Sequence, residues 1–354
     1  MSTIRRGVFS PPEAQPDQER HTRDAWRRIG NQHSLQATVK ELGTKVQDFD
    51  ERLLNLHHCE YKIGAMELTR LVKKGMDDEA LRQSYSFTSS FRHPAAVIVE
   101  NYLGKGSIIM SMVDGSFHKW LKSRPASDLF TNGSMRPLLR NMIIDLAEVI
   151  QAVHGQNMHI VNLSIKDLYV KILSDGTPRL QVLITNARKA SAPLKARAWD
   201  DVKATVQGCF SELEFKPNEV TRSFCSSISS KPSFLKKFPD QWDSSMKSRF
   251  LMETCAYKVL SSSINQSKLM WPEKDGNYEP LVLILIELGK EHAKYEFAFP
   301  NDYVRLCRNT KKHFLSLPPD IRSELGGTPD GFLLKMEEWT PNIWDILYKA
   351  IEQK

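Results

Sequence analysis

Cysteine is scarce in this chain of 354 residues, and none of its five cysteines forms a C-x-x-C pair. That leaves neither a zinc-ligand set nor a disulfide framework to read, and the odd count fits a reducing compartment. The first 24 residues, "MSTIRRGVFSPPEAQPDQERHTRD", lack an apolar core, so no secretory signal is expected and the stretch reads as a disordered tail. Long hydrophobic runs are also absent. The longest, "PLVLILIEL" at Pro280–Leu288, is too short to span a bilayer. No G-x-G-x-x-G occurs, and no repeat of roughly 20–50 residues is visible. The expectation is a protein of cytosol or nucleus with no membrane span.

What is present points to a globular chain. Hydrophobic residues make up 41%, the length allows two domains, and a net charge of +7 suits a polyanionic partner without specifying one. Leu35, Val39, Leu42, Val46, Phe49, Leu53 and Leu56 alternate spacings of four and three, which predicts a helix over 25–57. Such a seam either packs within its own domain or pairs two chains as a coiled coil. Residues 58–123 alternate short apolar runs with turns, and "VIVENYLGKGSIIM" reads as two strands around Gly-Lys-Gly. A long helix is predicted from Met135 to about Val153, then two strand-like pieces around "SDGTP", then a helix through "DDVKATVQGCFSEL". From about Lys236 onward the pattern predicts helices only. "TPDGFLLKMEEW" and "TPNIWDILYKAI" each start with a Thr cap and Pro at the first helical position.

One stretch combines residues suited to phosphodiester chemistry. "RLCRNTKKHF" places Arg308, Asn309 and His313 close together in sequence. Arginine clamps a phosphate, and histidine moves a proton near neutral pH. A solvated helix end with a surface histidine offers the same letters. On one unbroken helix, Arg308 and His313 would stand about 140° apart, at 100° per residue. The chemistry therefore requires the helix to end near Asn309, with "TKKH" as a loop that turns His313 back.

Two resemblances extend this reading. Residues 58–232 resemble a protein-kinase domain: "FRHPAAVIVENYLGKGSIIMSMVDGSFHKWLKS" looks like the stretch from the C-helix to the hinge, and "HGQNMHIVNLSIKDLYVKI" like the catalytic loop. Thr69 then falls at the strand-lysine position, Ser84 near the C-helix glutamate, Ser164 at the catalytic Asp, Tyr169 at the metal-binding Asn and Thr185 at the metal-binding Asp. Phosphoryl transfer needs those charged groups, so a pseudokinase is expected, with nucleotide binding doubtful. Residues 236–354 resemble the kinase-extension nuclease (KEN) family, which includes ribonuclease L and the inositol-requiring kinase/endoribonuclease. The match rests on Tyr295, Arg308, Asn309, His313, "LPPDIR" at Leu317–Arg322 and "LGGTPDGF" at Leu325–Phe332. The middle, about 258–290, matches weakly.

The expected fold class is thus α+β: a degenerate bilobal kinase-like domain, an all-α KEN domain behind it, and an N-terminal helix. The resemblance implies a metal-independent endoribonuclease that needs no cofactor. His313 would protonate the leaving oxygen, and Tyr295 would serve the 2'-hydroxyl, helped by Lys290 or Lys294. Arg308 and Asn309 would hold the scissile phosphate, while Arg305, Lys311 and Lys312 would attract RNA. Products would carry 2',3'-cyclic phosphate and 5'-hydroxyl ends. The implied partners are RNA and a second copy, or a related KEN protein, paired through the Leu35–Leu56 seam. The alternatives are a nuclease-inactive KEN protein that regulates an active relative, and an active kinase.

Overall fold

A computed structural model describes residues 38–45, 55–63, 66–254 and 258–352, and the expected tail over 1–24 lies outside them. The architecture is α+β. Strands β1 (Thr38–Lys45), β2 (Asn55–Ile63) and β3 (Met66–Lys74) form an antiparallel meander. Helix α1 (Asp78–Ser90) follows, then β4 (Val99–Gly104) and β5 (Ser107–Met110), which complete a five-stranded sheet in the order β1-β2-β3-β5-β4. Asp77 caps α1 by accepting hydrogen bonds from the Glu79 and Ala80 amides at 3.0 and 3.1 Å, where an acceptor satisfies otherwise orphaned donors.

The predicted N-terminal helix does not form in its described part. Val39 and Leu42 lie on β1 and Leu56 on β2; Leu35, Val46, Phe49 and Leu53 lie outside the described residues. The register of β1 against β2 shifts between Glu41 and Lys45, so the irregularity spans Gly43. A glycine that weakens a helix is at home in such a bulge. The backbone of β2, paired on both edges, supplies the hydrogen bonds that a short heptad seam would have had to find within itself.

The next part of the chain mixes short strands with helices. It runs through β6 (Gly115–Ser116), α2 (Phe117–Ser123), α3 (Ala126–Leu129), β7 (Phe130–Thr131), β8 (Ser134–Met135) and α4 (Pro137–Gly155). Then come β9 (Met158–Ile160), β10 (Leu168–Ile172), β11 (Pro178–Val182) and β12 (Ala187–Lys189). Helices α5 (Ala192–Glu212), α6 (Glu219–Ser226) and α7 (Pro232–Lys236) follow. The apolar stripe read from the sequence is the buried face of α4, including Leu139, Met142, Ile143, Leu146, Val149, Ile150 and Val153. Strand β10 sits between β11 and β6, its Tyr169 packs in the apolar cluster of the five-stranded sheet, and a cleft lies between Met76–Ala80 and the residues Ile160–Asp167 and Leu183–Asn186.

Behind it lie α8 (Ser244–Thr254), α9 (Lys258–Asn265), β13 (Glu273–Lys274), β14 (Asn277–Tyr278) and α10 (Pro280–Gly289). The chain ends with α11 (Pro300–Lys312), α12 (Pro319–Glu324), α13 (Pro329–Trp339) and α14 (Ile343–Glu352). The expectation of helices only fails at the β13–β14 hairpin. Asp275 and Gly276 both have positive φ, 53° and 78°, which is the backbone a two-residue hairpin turn demands and Asp-Gly readily supplies. Thr328 caps α13 as expected, accepting from Gly331 N at 2.9 Å. Thr340 and Pro341 precede α14 rather than opening it.

Two apolar cores divide these helices. One is centred on α4, the other on Tyr303, Phe314, Phe332 and Leu347. Trp242 and Phe250 pack against both. Tyr348, late in α14, reaches back to the first core, and its hydroxyl donates to Phe234 O at 3.0 Å. Among the described residues no helix is long and apolar enough to cross a membrane.

Candidate functional site

The site begins with Pro300 at the first position of α11, where its fixed φ suits the first helical turn and its missing N–H costs nothing. Asp302, in that first turn and buried, faces the helix's positive end. One carboxylate oxygen accepts from Glu296 N at 2.8 Å; the other pairs with Arg305 at 3.2 Å. Arg305 also donates to the Lys294 carbonyl oxygen, and its guanidinium lies 4.9 Å from the Tyr295 ring centroid. These contacts clamp the segment 294–296 onto α11. Asn309, one turn beyond Arg305, donates from Nδ2 to the Tyr295 hydroxyl at 2.9 Å.

Tyr295 and Asn309 are therefore brought together. The weakly matching middle supplies part of the frame. Tyr295 packs against the C-terminal core, and a Cβ added at Gly289, the last residue of α10, would stand 3.7 Å from its ring and 3.9 Å from its hydroxyl. The clamp by Asp302 and Arg305 was missed. Its signal was the i, i+3 acid–base pair in "NDYVR", which a surface helix also shows.

The expected helix end is corrected. Thr310, Lys311 and Lys312 are helical, and His313 is the C-cap, its N–H donating to Asn309 O at 3.0 Å. A helix C-terminus needs no loop here, because Phe314 and Thr310 are both buried and hold the last turn against the core. At 100° per residue, His313 stands about 40° from Asn309 but about 140° from Arg308. Tyr295, Asn309 and His313 thus share one side of α11, and Arg308 points away from His313. Arg308 Nε is shielded from solvent with no hydrogen-bond partner among the described residues, while His313 is exposed.

The surface cations divide likewise. Lys311 is not a loop residue. Its ammonium binds the Pro329 carbonyl oxygen at 3.0 Å and Asp330 at 3.3 Å, so it ties α11 to the start of α13. Lys312 is exposed in the last turn. Lys290 pairs with Glu287 and Lys294 is exposed, so neither ammonium is shown against the Tyr295 hydroxyl.

The cleft beside β3 and β10 holds a second cluster. Thr69 is exposed on β3, but Lys73, on the same strand face, is 7% exposed and donates from Nζ to the Tyr169 hydroxyl at 3.0 Å. The strand therefore keeps a buried lysine that the alignment onto Thr69 had removed. A strand's two-residue period makes positions four apart equivalent in direction, and only tertiary burial separates them. Ser84 donates to Thr185 O at 2.7 Å across the cleft. Ser164 caps a short 3-10 turn, and its amide and hydroxyl both reach Asp167 at 3.1 Å.

Asp167 itself lines a cavity of about 250 Å³ with Asn162, Thr185 and Asn186. A carboxylate remains there, which corrects the expectation that every charged cleft group is lost. Burial lowers the Lys73 pKa, opposed by Asp167; burial raises that of Asp167, opposed by Lys73.

No protein-family model matches the chain, and no curated protein is significantly similar to it.

Proposed function

We propose that the chain is a metal-independent endoribonuclease built on a kinase-like scaffold that transfers no phosphate. The observation that carries this reading is the 2.9 Å hydrogen bond from Asn309 to the Tyr295 hydroxyl, with His313 one turn further along the same side of α11. RNA brings its own nucleophile, the ribose 2'-hydroxyl. Tyr295, accepting one hydrogen bond from Asn309, keeps a second lone pair to take the 2'-hydroxyl proton while its own O–H proton passes to water. His313, exposed at the helix end, donates a proton to the departing 5'-oxygen. The 2'-oxygen attacks phosphorus, the P–O5' bond breaks, and the ends are a 2',3'-cyclic phosphate and a 5'-hydroxyl. Asn309 is the residue left to hold the scissile phosphate beside His313, because Arg308 stands about 140° round α11 from His313. Lys312 adds non-specific attraction.

The KEN resemblance further implies that activity grows when two copies pair. The Leu35–Leu56 seam is no longer the device for this, since its described part is sheet. A second reading, a nuclease-silent protein that regulates an active relative, is favoured by one observation. Because α11 continues through Lys312, Arg308 and His313 diverge around its axis.

Cleavage of a hairpin RNA in EDTA, over a range of protein concentrations and with product ends identified, separates the two. Cyclic phosphates that vanish with His313→Ala and grow faster than linearly with concentration support the paired nuclease. No cleavage at any concentration supports the silent regulator. The losses at Ser164 and Thr185 argue against a kinase, and a radiolabelled phosphate-transfer assay tests that.

A further inference from the structure

Tyr169 belongs to one sheet and packs in the core of another. It is the second residue of β10, paired with Gln181 of β11 and Ser116 of β6. Yet its side chain is fully buried within the apolar cluster of the five-stranded sheet, beside Leu71, Val99, Ile108 and Met110. From that position its hydroxyl accepts the Lys73 hydrogen bond at 3.0 Å, and the ammonium lies 5.5 Å from its ring centroid. One side chain from the second sheet therefore both fills the first sheet's core and satisfies its buried cation. Two further links cross nearby: Ser84 to Thr185 O, and the Val97 and Val182 backbones at 2.9 Å. The space left on the Asn162–Asn186 side, about 250 Å³, is below the usual range of a ligand pocket.

We propose that Tyr169 is a built-in occupant of this cleft, clamping the five-stranded sheet to the β10–β11 hairpin through Lys73 with no small molecule between them. The clamp does not depend on the nuclease reading. It explains how a scaffold can hold one posture without a nucleotide: opening the cleft would expose the fully buried Tyr169 ring, and in the closed state the Tyr169 hydroxyl supplies the acceptor that a buried ammonium needs.

Hydrogen exchange of the full chain tests it, comparing wild type, Tyr169→Phe, Lys73→Met and the double variant, with and without Mg-ATP. Tyr169→Phe keeps the ring and removes only the acceptor. The expected result is exchange faster by about five-fold or more in both β3 and β10, the size of a one-kcal/mol opening change. The double variant should exchange more slowly than the two single effects add up to, because the hydroxyl and the ammonium that bond each other are then both gone. Mg-ATP should leave wild type unchanged. If Tyr169→Phe does not fold, Lys73→Met carries the test. Faster exchange in the distant β10 supports the clamp, and an effect confined to β3 overturns it. Protection of β3 and β10 by Mg-ATP in wild type also overturns it, since the cleft would then accept a ligand with Tyr169 in place.

Discussion

Arg140 of α4 and Asp240, just before α8, form a buried ion pair, with Arg140 Nε donating to both carboxylate oxygens at 2.9 and 2.8 Å. The two side chains are 6% and 5% exposed. The guanidinium also donates to Leu235 O at 2.6 Å and lies 5.0 Å from the Phe224 ring centroid. This pair fastens the chain where the first helical core gives way to the second.

Removing one partner strands a charge away from water. Asp240→Ala should therefore cost on the order of 3–5 kcal/mol in urea unfolding. The double change Arg140→Met with Asp240→Leu should cost much less than either single change, because no unpaired charge remains. Additive losses would argue that the pair contributes little beyond its packing.

Asn309 should matter to RNA cleavage far more than to stability. Its amide is half-exposed, and losing one such hydrogen bond costs about 1 kcal/mol. Asn309→Ala should nevertheless lower the cleavage rate by about 100-fold or more if the amide orients Tyr295 and the phosphate. Arg305→Ala should act differently, through the Lys294 carbonyl and the Tyr295 ring, by loosening segment 294–296. Limited proteolysis near residue 295 would detect that loosening.

His154 makes stability depend on pH. It is buried, its ring lies edge-on to Trp199, its carbonyl oxygen accepts from Lys195, and His159 is close by. Burial first, then the charges of Lys195 and His159, pull its pKa down from 6.5 to about 4. The unfolded chain therefore binds more protons than the folded one between those values. Stability is complete above pH ~6.5 and falls as pH drops toward ~4, by at most ~3 kcal/mol. His154→Phe should flatten that interval in denaturant titrations across pH, and an unchanged slope would reject the assignment.

The turn from α12 into α13 has no room for a methyl group at either Gly326 or Gly331. A Cβ on Gly331 would stand 2.2 Å from the Gly326 carbonyl oxygen, and Gly326 has φ of +93°. Both atoms are backbone, so neither side can give way cheaply. Gly331→Ala should cost on the order of 2–4 kcal/mol. Gly327→Ala, at φ +73° with open space around it, should cost only the local strain of about 1–2 kcal/mol. Equal losses would show that backbone strain, rather than the close approach, governs this turn.

Much of the fold was legible where local chemistry and burial agree. Helix α4 was readable because its apolar residues recur at helical spacing and line the core, most of them fully buried. The β4–β5 hairpin announced itself through Gly-Lys-Gly, three residues that all take positive φ. The β13–β14 hairpin carried an equally plain Asp-Gly signal, obscured by the helices on either side. The Leu35–Leu56 pattern misled because spacing alone does not say whether a segment will find a strand to pair with.

By itself the sequence determined the composition of the candidate site and the start of its helix: Tyr295, Arg308, Asn309 and His313, with Pro300 opening α11. Those features follow from residue type and from proline's fixed backbone, both local properties. Only the tertiary structure decided which partners meet. It joined Asn309 to Tyr295, carried α11 on to His313, committed Lys311 to Asp330, and buried Lys73 rather than Thr69. A side chain's depth and its hydrogen-bond partner depend on segments distant in sequence. The period of a strand or helix fixes its direction but not what it will find there.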